Sequence, residues 1–134
     1  MNIGFDGIVN GIYTVRDCVL LRLSSMDPCI GGEIMHGLLG GYAFSAVREK
    51  DAEKYTKDAD GRKGAAQVCP CNVVRIFGIG LVGGGVLCKV LRVLGECGIC
   101  VYGASASECG IALALPREES RMAVDALSRA LLRE

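Results

Sequence analysis

Four cysteines in two closely spaced pairs are the residues of this sequence with the clearest capacity for chemistry. They form Cys69-Pro70-Cys71 and Cys97-Gly98-Ile99-Cys100. A Cys-x-Cys and a Cys-x-x-Cys about 30 residues apart can ligate zinc tetrahedrally or act as redox thiols. However, Cys97 falls at the end of a helix pattern and Cys100 enters an apolar strand. Cysteine often behaves as a small buried hydrophobe in such places, so a zinc-binding or redox protein is the alternative interpretation.

The remaining side chains offer no catalytic group. His36, the only histidine, has no serine or cysteine arrangement around it, and Cys18, Cys88 and Cys109 lie among aliphatic residues. No nucleophile-elbow motif, Walker lysine motif or pair of catalytic carboxylates is present, and the Gly78, Gly80 and Gly83 spacing is a weak dinucleotide signal by itself. We therefore expect a protein that is not an enzyme and has no cofactor.

The composition narrows the class of partner. The chain has 134 residues, 51% of them hydrophobic, and fifteen basic residues balance fifteen acidic ones. Without a basic face, nucleic acid and anionic membranes are not expected partners. A net charge near zero favours self-association. No run approaches the ~18 apolar residues of a membrane span, and the first residues do not resemble a signal peptide, so we expect a cytoplasmic protein with free thiols.

The predicted secondary-structure elements form two halves, and each half contains a strand, a glycine-bearing loop and a helix in that order. The first half predicts strands at Gly11–Val15 and Cys18–Leu23 separated by a turn at Arg16-Asp17, a loop at Ser24–Gly32, a short helix at Glu33–Leu39 and a strand at Tyr42–Val47. From Arg48 to Lys63 the chain is highly charged, which is typical of a solvated surface, and we assign it no chemistry.

The second half, Asn72–Glu134, has the stronger pattern. It predicts a strand at Val73–Gly78, a glycine-rich turn at Gly80–Gly85, a helix from Val86, strands from Ile99 and Gly110, and a final helix at Arg117–Leu132. A short turn at Ser105–Glu108 separates two of these strands, so they should form a hairpin. The buried side of the final helix is predicted to consist of Met122, Val124, Ala126, Leu127, Ala130 and Leu131.

This order of elements, together with Tyr102-Gly103-Ala104-Ser105, resembles an ACT domain, and in particular the C-terminal regulatory region of aspartate kinases, which contains tandem ACT domains. The resemblance implies a ferredoxin-like α/β sandwich with a mainly antiparallel sheet and helices on one face. It also implies a degenerate first unit at residues 9–47, a charged linker at 48–71 and an ACT-like domain at 72–134. The expected function is a non-catalytic regulatory module that binds a small amino acid or mediates oligomerisation.

An amino acid presents a carboxylate and an ammonium group, and the two glycine-bearing loops suit the carboxylate. Backbone N–H groups at a helix N-terminus can donate hydrogen bonds to an anion, and small residues allow close approach. The predicted ligand-binding residues are Ser25, Met26, Asp27, Gly31, Gly80, Gly83, Gly84, Ser105 and Ser107. Asp27 or Glu108 could bind the ammonium group; alternatively, these glycines only turn the chain and Glu108 is an exposed turn residue. Lysine or threonine as effector, a homo-oligomer and a kinase catalytic subunit as partner are implied by the resemblance.

Overall fold

The computed structural model describes residues 8–23, 35–39, 42–52, 66–79, 81, 85–107 and 110–132. The strands are β1 (Ile8–Leu23), β2 (Met35–Leu39), β3 (Tyr42–Arg48), β4 (Ala66–Ile79), β5 (Gly103–Ala106) and β6 (Gly110–Leu115). The helices are α1 (Val86–Glu96) and α2 (Ser120–Leu127). Short 3₁₀ turns cover Glu49–Asp51 and Arg117–Glu119, and a π-helical turn, Ser128–Leu132, extends α2.

All six strands belong to one sheet, in the order β2-β3-β1-β4-β6-β5. Every neighbouring pair is antiparallel, which confirms the predicted antiparallel α+β architecture. The sheet is curled, because the two edge strands β2 and β5 approach each other within 8 Å between Cα atoms. The predicted linker at residues 48–71 contributes Arg48 to β3 and residues 66–71 to β4. The division into two units stays a prediction.

The first half of the chain differs from its predicted elements at two places. The predicted helix at Glu33–Leu39 is wrong, because Met35–Leu39 is strand β2 and pairs with β3, Leu39 opposite Tyr42. Seven residues with a weak helical pattern gain more from cross-strand pairing than from two helical turns. The predicted turn at Arg16-Asp17 is a bulge inside the continuous strand β1. The predicted strand at Tyr42–Val47 is confirmed as β3.

The predicted hairpin of the second half is confirmed by β5 and β6. Gly103 pairs with Ala114 and Ala106 pairs with Ile111. The pairing extends back by one residue, because the Tyr102 N–H donates to the Ala114 carbonyl at 2.8 Å. The Tyr-Gly-Ala-Ser stretch therefore enters an edge strand of the sheet.

One face of the sheet carries the helices and the main core. Alternate residues of β4 and β6 meet the buried sides of α1 and α2 there. This core contains Val74, Ile76, Ile111, Leu113 and Leu115 from the sheet, Val86, Val90 and Leu94 from α1, and Ala123, Leu127 and Leu131 from the final helix. Met122 was predicted to be buried, but 49% of it is exposed. It lies outside the stripe that residues 123, 127 and 131 form at helical spacing.

A second cluster lies on the opposite face of the sheet. It contains Cys18, Leu20, Ala46, Cys71, Val73, Ala112 and Ala114, with Val15, Cys69 and Tyr102 packed against it. These residues come from β1, β3, β4 and β6, and on β4 and β6 they alternate with those of the main core. Because the sheet is curled, these side chains are buried although no described helix covers this face. No helix among the described residues is long and apolar enough to cross a membrane.

The C-terminus of α1 ends in a Schellman motif. The Ile99 N–H donates to the Leu94 carbonyl at 3.0 Å, and the Gly98 N–H donates to the Gly95 carbonyl at 3.0 Å. Gly98 has a φ of 74°, in the left-handed region that glycine adopts without steric cost. Ile99 and Leu94 are both buried and pack in the same core. This motif reverses the chain towards β5 and fixes where Cys97 and Cys100 lie.

Candidate functional site

The sequence-predicted ligand site falls largely outside the described residues. Ser25, Met26, Asp27, Gly31, Gly80, Gly83 and Gly84, with Glu108, lie there. Ser105 is half-buried in β5, and Ser107 is exposed just after it. The Ser107 N–H and Oγ both donate to the Gly110 carbonyl, at 2.7 and 3.3 Å. Ser107 therefore stabilises the hairpin turn, and the grouping of both serines with the two loops stays a prediction.

The structure does not bring the four cysteines of the alternative interpretation together in a metal site. Cys69 and Cys71 lie on β4, whereas Cys97 is the exposed C-cap of α1 and Cys100 is exposed beyond it. Within the described ranges, no three or more His, Cys, Asp or Glu side chains are placed to hold a metal ion.

The thiols on β4 also lack the properties of redox nucleophiles. Burial raises the pKa of Cys71 to about 12, with the neighbouring Cys18 as a further cause. Burial likewise raises the pKa of Cys69, although a hydrogen bond with Tyr102 opposes the change. A reactive thiol needs a lowered pKa, because the thiolate is the nucleophile. Cys69 and Cys71 are therefore packing residues at neutral pH.

A polar network surrounds the bulge in β1. Val15 pairs with Val73 and Cys18 pairs with Cys71, so β1 contains one residue more than β4 between these pairs. Asp17 accommodates it with a φ of 58°, which is uncommon for a residue other than glycine. Its N–H, removed from the strand ladder, donates to Asn72 Oδ1 at 3.0 Å.

The same asparagine links the bulge to the final helix. Asn72 is 7% exposed, and its Nδ2 donates to Ser120 Oγ at 2.9 Å. Ser120 Oγ in turn donates to the Arg117 carbonyl at 2.9 Å. Every polar group of this buried chain of hydrogen bonds thus has a partner, as buried polar groups require. The left-handed Asp17 is held in place by side chains from β4 and α2.

Arg117, at the start of the final helical segment, fastens three elements together. Its Nε donates to the Cys71 carbonyl at 3.2 Å, and its Nη2 donates to the Cys18 carbonyl at 2.7 Å. The same Nη2 donates to Glu49 Oε1 at 2.9 Å, which forms a salt bridge with the turn after β3. The planar guanidinium suits several acceptors at fixed angles, so β1, β4 and this turn are held in one arrangement.

Beside this guanidinium lies an open cleft of about 400 Å³. Its lining residues are Arg16, Asp17, Arg48, Glu49 and Lys50. The bulge supplies the first two, and the end of β3 with its 3₁₀ turn supplies the others. Cys18 pairs with Arg48 across β1 and β3, which brings the two segments side by side. The cleft can bind an anion, because three of the five side chains that line it among the described residues are cationic.

Comparison with known structures supports the fold. The regulatory subunit of aspartate kinase from Thermus thermophilus, in its ligand-free form, matches with a TM-score of 0.69 and 17% identity, over 95% of this chain and 97% of that one. The chain has the fold of aspartate kinase regulatory domains. The predicted ferredoxin-like ACT fold is therefore confirmed, and at this identity the likeness establishes the fold alone. No family model matches the chain, and no curated protein matches it by sequence.

Two further structures show this regulatory fold in other settings. The aspartate kinase of Clostridium acetobutylicum matches with a TM-score of 0.72 and 13% identity, over 98% of this chain but 36% of that longer one. A structure of aspartokinase alpha and beta subunits matches with a TM-score of 0.63 and 19% identity, over 91% of this chain and 93% of that one. The regulatory fold thus occurs both as a segment of a longer kinase and as a separate subunit.

The sequence analysis did not identify the cleft residues. Arg16-Asp17 was interpreted as a turn, and Arg48, Glu49 and Lys50 were included in a solvated charged run. The signal that could have found them is the interruption of one apolar strand by a charged pair. A turn and a bulge produce the same interruption of the sequence pattern. That Arg16 and Asp17 lie beside the end of β3 follows only from the register between β1 and β3, which the sequence does not reveal.

Proposed function

We propose that this chain is a non-catalytic regulatory module of the cytoplasm that binds a small amino acid and acts on a kinase catalytic subunit. The observation that supports the proposal is the correspondence with a regulatory subunit of aspartate kinase over 95% of this chain and 97% of that chain. That protein is a regulatory subunit, and the agreement covers nearly its whole length. Lysine and threonine are the first effectors to test.

The predicted effector site combines the two glycine-bearing loops with the edge strand β5. Among the described strands, β6 is the one ladder partner of β5, and Ser105 pairs there with Ala112. An edge strand presents N–H and C=O groups that are free of ladder bonds on one side. Such groups can bind the carboxylate and the ammonium of an amino acid, which supports the choice of this edge for the effector.

A thermal-shift screen with the twenty amino acids tests the effector proposal. A ligand at about 100 times its dissociation constant should stabilise the fold by about 2.7 kcal/mol. For a chain of this size, that corresponds to a rise in Tm of roughly 6–15 °C. The double variant Ser105→Ala/Ser107→Ala should reduce the rise, whereas Ser128→Ala on the final helix is the matched control. If no amino acid raises Tm at millimolar concentration, the effector proposal is refuted.

We further propose that the module self-associates through an apolar patch on the sheet. The patch consists of Tyr13, Phe77 and Ile79, which are 45%, 45% and 61% exposed. The rings of Tyr13 and Phe77 lie 5.9 Å apart between centroids. Phe77 alternates with Ile76 of the main core, so the patch faces away from α1 and α2. Adjacent exposed apolar side chains of this size are typical of an interaction surface, and a neutral chain has little repulsion between copies.

Sedimentation velocity at micromolar concentration tests this surface. Phe77→Lys places a charge in the centre of the patch and should shift the protein towards monomer. Met122→Lys is the matched control, because Met122 is 49% exposed on the final helix. A wild-type protein that sediments as a monomer would contradict the proposal, and so would equal dissociation of both variants.

A further inference from the structure

We propose that the cleft between the β1 bulge and the turn after β3 is a binding site for a compact dianion. Its ligand carries either a phosphate group or two carboxylates. The residues that would contact it are Arg16, Arg48 and Lys50. Its residues differ from those of the glycine-bearing loops predicted to bind an amino acid, and neither proposal depends on the other.

The charge of the cleft is the first argument. Arg16, Arg48 and Lys50 contribute three positive charges among its lining residues. The carboxylate of Glu49 is already paired with Arg117 at 2.9 Å. Asp17 is the other acidic residue of the described lining, so these described residues carry an excess of two positive charges once Glu49 is matched by Arg117. The complete chain has no net charge, which makes this excess a local feature of the cleft.

The rigidity of the surrounding backbone is the second argument. The Asp17 N–H is bound by Asn72, and the Cys18 and Cys71 carbonyls are bound by Arg117. These contacts fix the bulge from which Arg16 projects. The salt bridge to Glu49 attaches the turn that carries Lys50. A site whose backbone is already ordered loses less conformational entropy when a ligand binds.

The strained bulge is the third argument. A residue other than glycine is uncommon in the left-handed region, although aspartate tolerates it better than most, and such positions concentrate at functional sites. Here the strain sets Arg16 and Asp17 beside the end of β3 rather than continuing the regular alternation of β1. A guanidinium group binds phosphate and carboxylate oxygens through two parallel hydrogen bonds, and two arginines line this cleft. The volume of about 400 Å³ is in the range of small-molecule sites.

Titration of the complete chain with sodium phosphate and, separately, sodium succinate tests the proposal. Each titration is made against sodium chloride of equal ionic strength and followed by isothermal calorimetry and by amide chemical shifts. We expect saturable binding of at least one anion in the low millimolar range or tighter. Shift changes should concentrate at residues 15–18 and 48–51. Binding of phosphate alone identifies a phosphate ligand, and binding of succinate alone identifies a dicarboxylate.

The double variant Arg16→Gln/Arg48→Gln should weaken binding at least tenfold. Arg92→Gln/Arg121→Gln removes the same charge from exposed positions on α1 and α2, and it should bind as the wild type does. The proposal is overturned if neither anion shows saturable binding at 10-fold molar excess over 1 mM protein. Equal weakening in both double variants would also overturn it, because the attraction would then belong to the total charge. If the first variant does not fold, the location of the wild-type shift changes decides.

Discussion

Replacement of Arg117 should reveal how strongly one guanidinium holds the fold together. Arg117→Met keeps most of the aliphatic volume and removes all three of its hydrogen bonds. Two of these go to backbone carbonyls of Cys71 and Cys18, and hydrogen bonds with a charged partner contribute about 1.5–3 kcal/mol each. The arginine side chain is 32% exposed, so water replaces part of what is lost. We expect the free energy of unfolding to fall by about 2–4 kcal/mol.

Two companion variants separate the contacts. Arg117→Lys keeps the charge but can reach one carbonyl at most, so we expect a loss of about 1–2 kcal/mol. Glu49→Gln removes only the salt bridge, whose carboxylate side chain is 61% exposed, and exposed pairs contribute less than about 1 kcal/mol. Urea unfolding at pH 7, followed by circular dichroism, gives all three values. The m-value should stay unchanged if each variant alters stability alone.

The order of the three losses is the decisive result. If Glu49→Gln lowers the free energy of unfolding as much as Arg117→Met does, the stabilisation comes from the surface ion pair and not from the hydrogen bonds that Arg117 donates to the Cys18 and Cys71 carbonyls. If Arg117→Met costs less than about 0.5 kcal/mol, in the range of ordinary surface substitutions, the reasoning about this network is refuted.

Two further predictions concern burial and backbone conformation. Burial raises the pKa of Cys71 from 9.0 to about 12, so its stabilising contribution is complete below pH 9 and is lost progressively as the pH rises towards 12. The loss from this group should be about 1.4 kcal/mol per pH unit at most. Urea unfolding at pH 8 and 10 should show a smaller loss in Cys71→Val than in the wild type and in Cys88→Ala, because burial also raises the pKa of Cys18 and Cys69, which remain. Parallel curves for all three proteins would refute the prediction. In α1, Gly95→Ala should stabilise the protein by up to about 1 kcal/mol, because a helical position with nothing within 4 Å of the new methyl group favours alanine. Gly98→Ala should destabilise it by about 1 kcal/mol, since its φ is 74°; equal changes in Tm would show that the left-handed conformation is not maintained.

The second half of the chain was predictable because its signals are local. The hairpin of β5 and β6 needs only two apolar segments and a short turn, and its register follows from the turn. The 3₁₀ turn that leads into α2 begins after Pro116 and contains two glutamates, which is the start signal that the sequence shows. Two details differ. The strand predicted from Ile99 begins at Gly103, because the Schellman motif at the end of α1 places Ile99 in the core before the strand starts. The orientation of Met122 was also wrong, because a count of apolar residues does not specify which of them fall on the stripe facing the sheet.

The position of β4 shows where local signals fail. Pro70 lies inside this strand, although proline in a sequence argues against a central strand. The pairing with β6 covers only Asn72–Phe77, so Pro70 lies where β4 is paired on one side by β1. A missing N–H is tolerated on such an edge. The predicted boundary near Asn72 therefore marks the beginning of pairing with β6, not the beginning of the strand.

Departures from local rules in this chain are compensated by contacts from distant residues. Asp17 adopts the left-handed conformation, which few residues other than glycine, asparagine and aspartate tolerate, and Asn72, 55 residues away, binds the N–H that the bulge releases. The carbonyls beside the bulge are bound by Arg117, 99 residues from Cys18. Local propensity alone would have favoured a simple turn at Arg16-Asp17, which is the interpretation that the sequence supported. Contacts from such distances hold the bulge in place, and the three cationic side chains among the described residues that line the cleft beside it support the anion site proposed above.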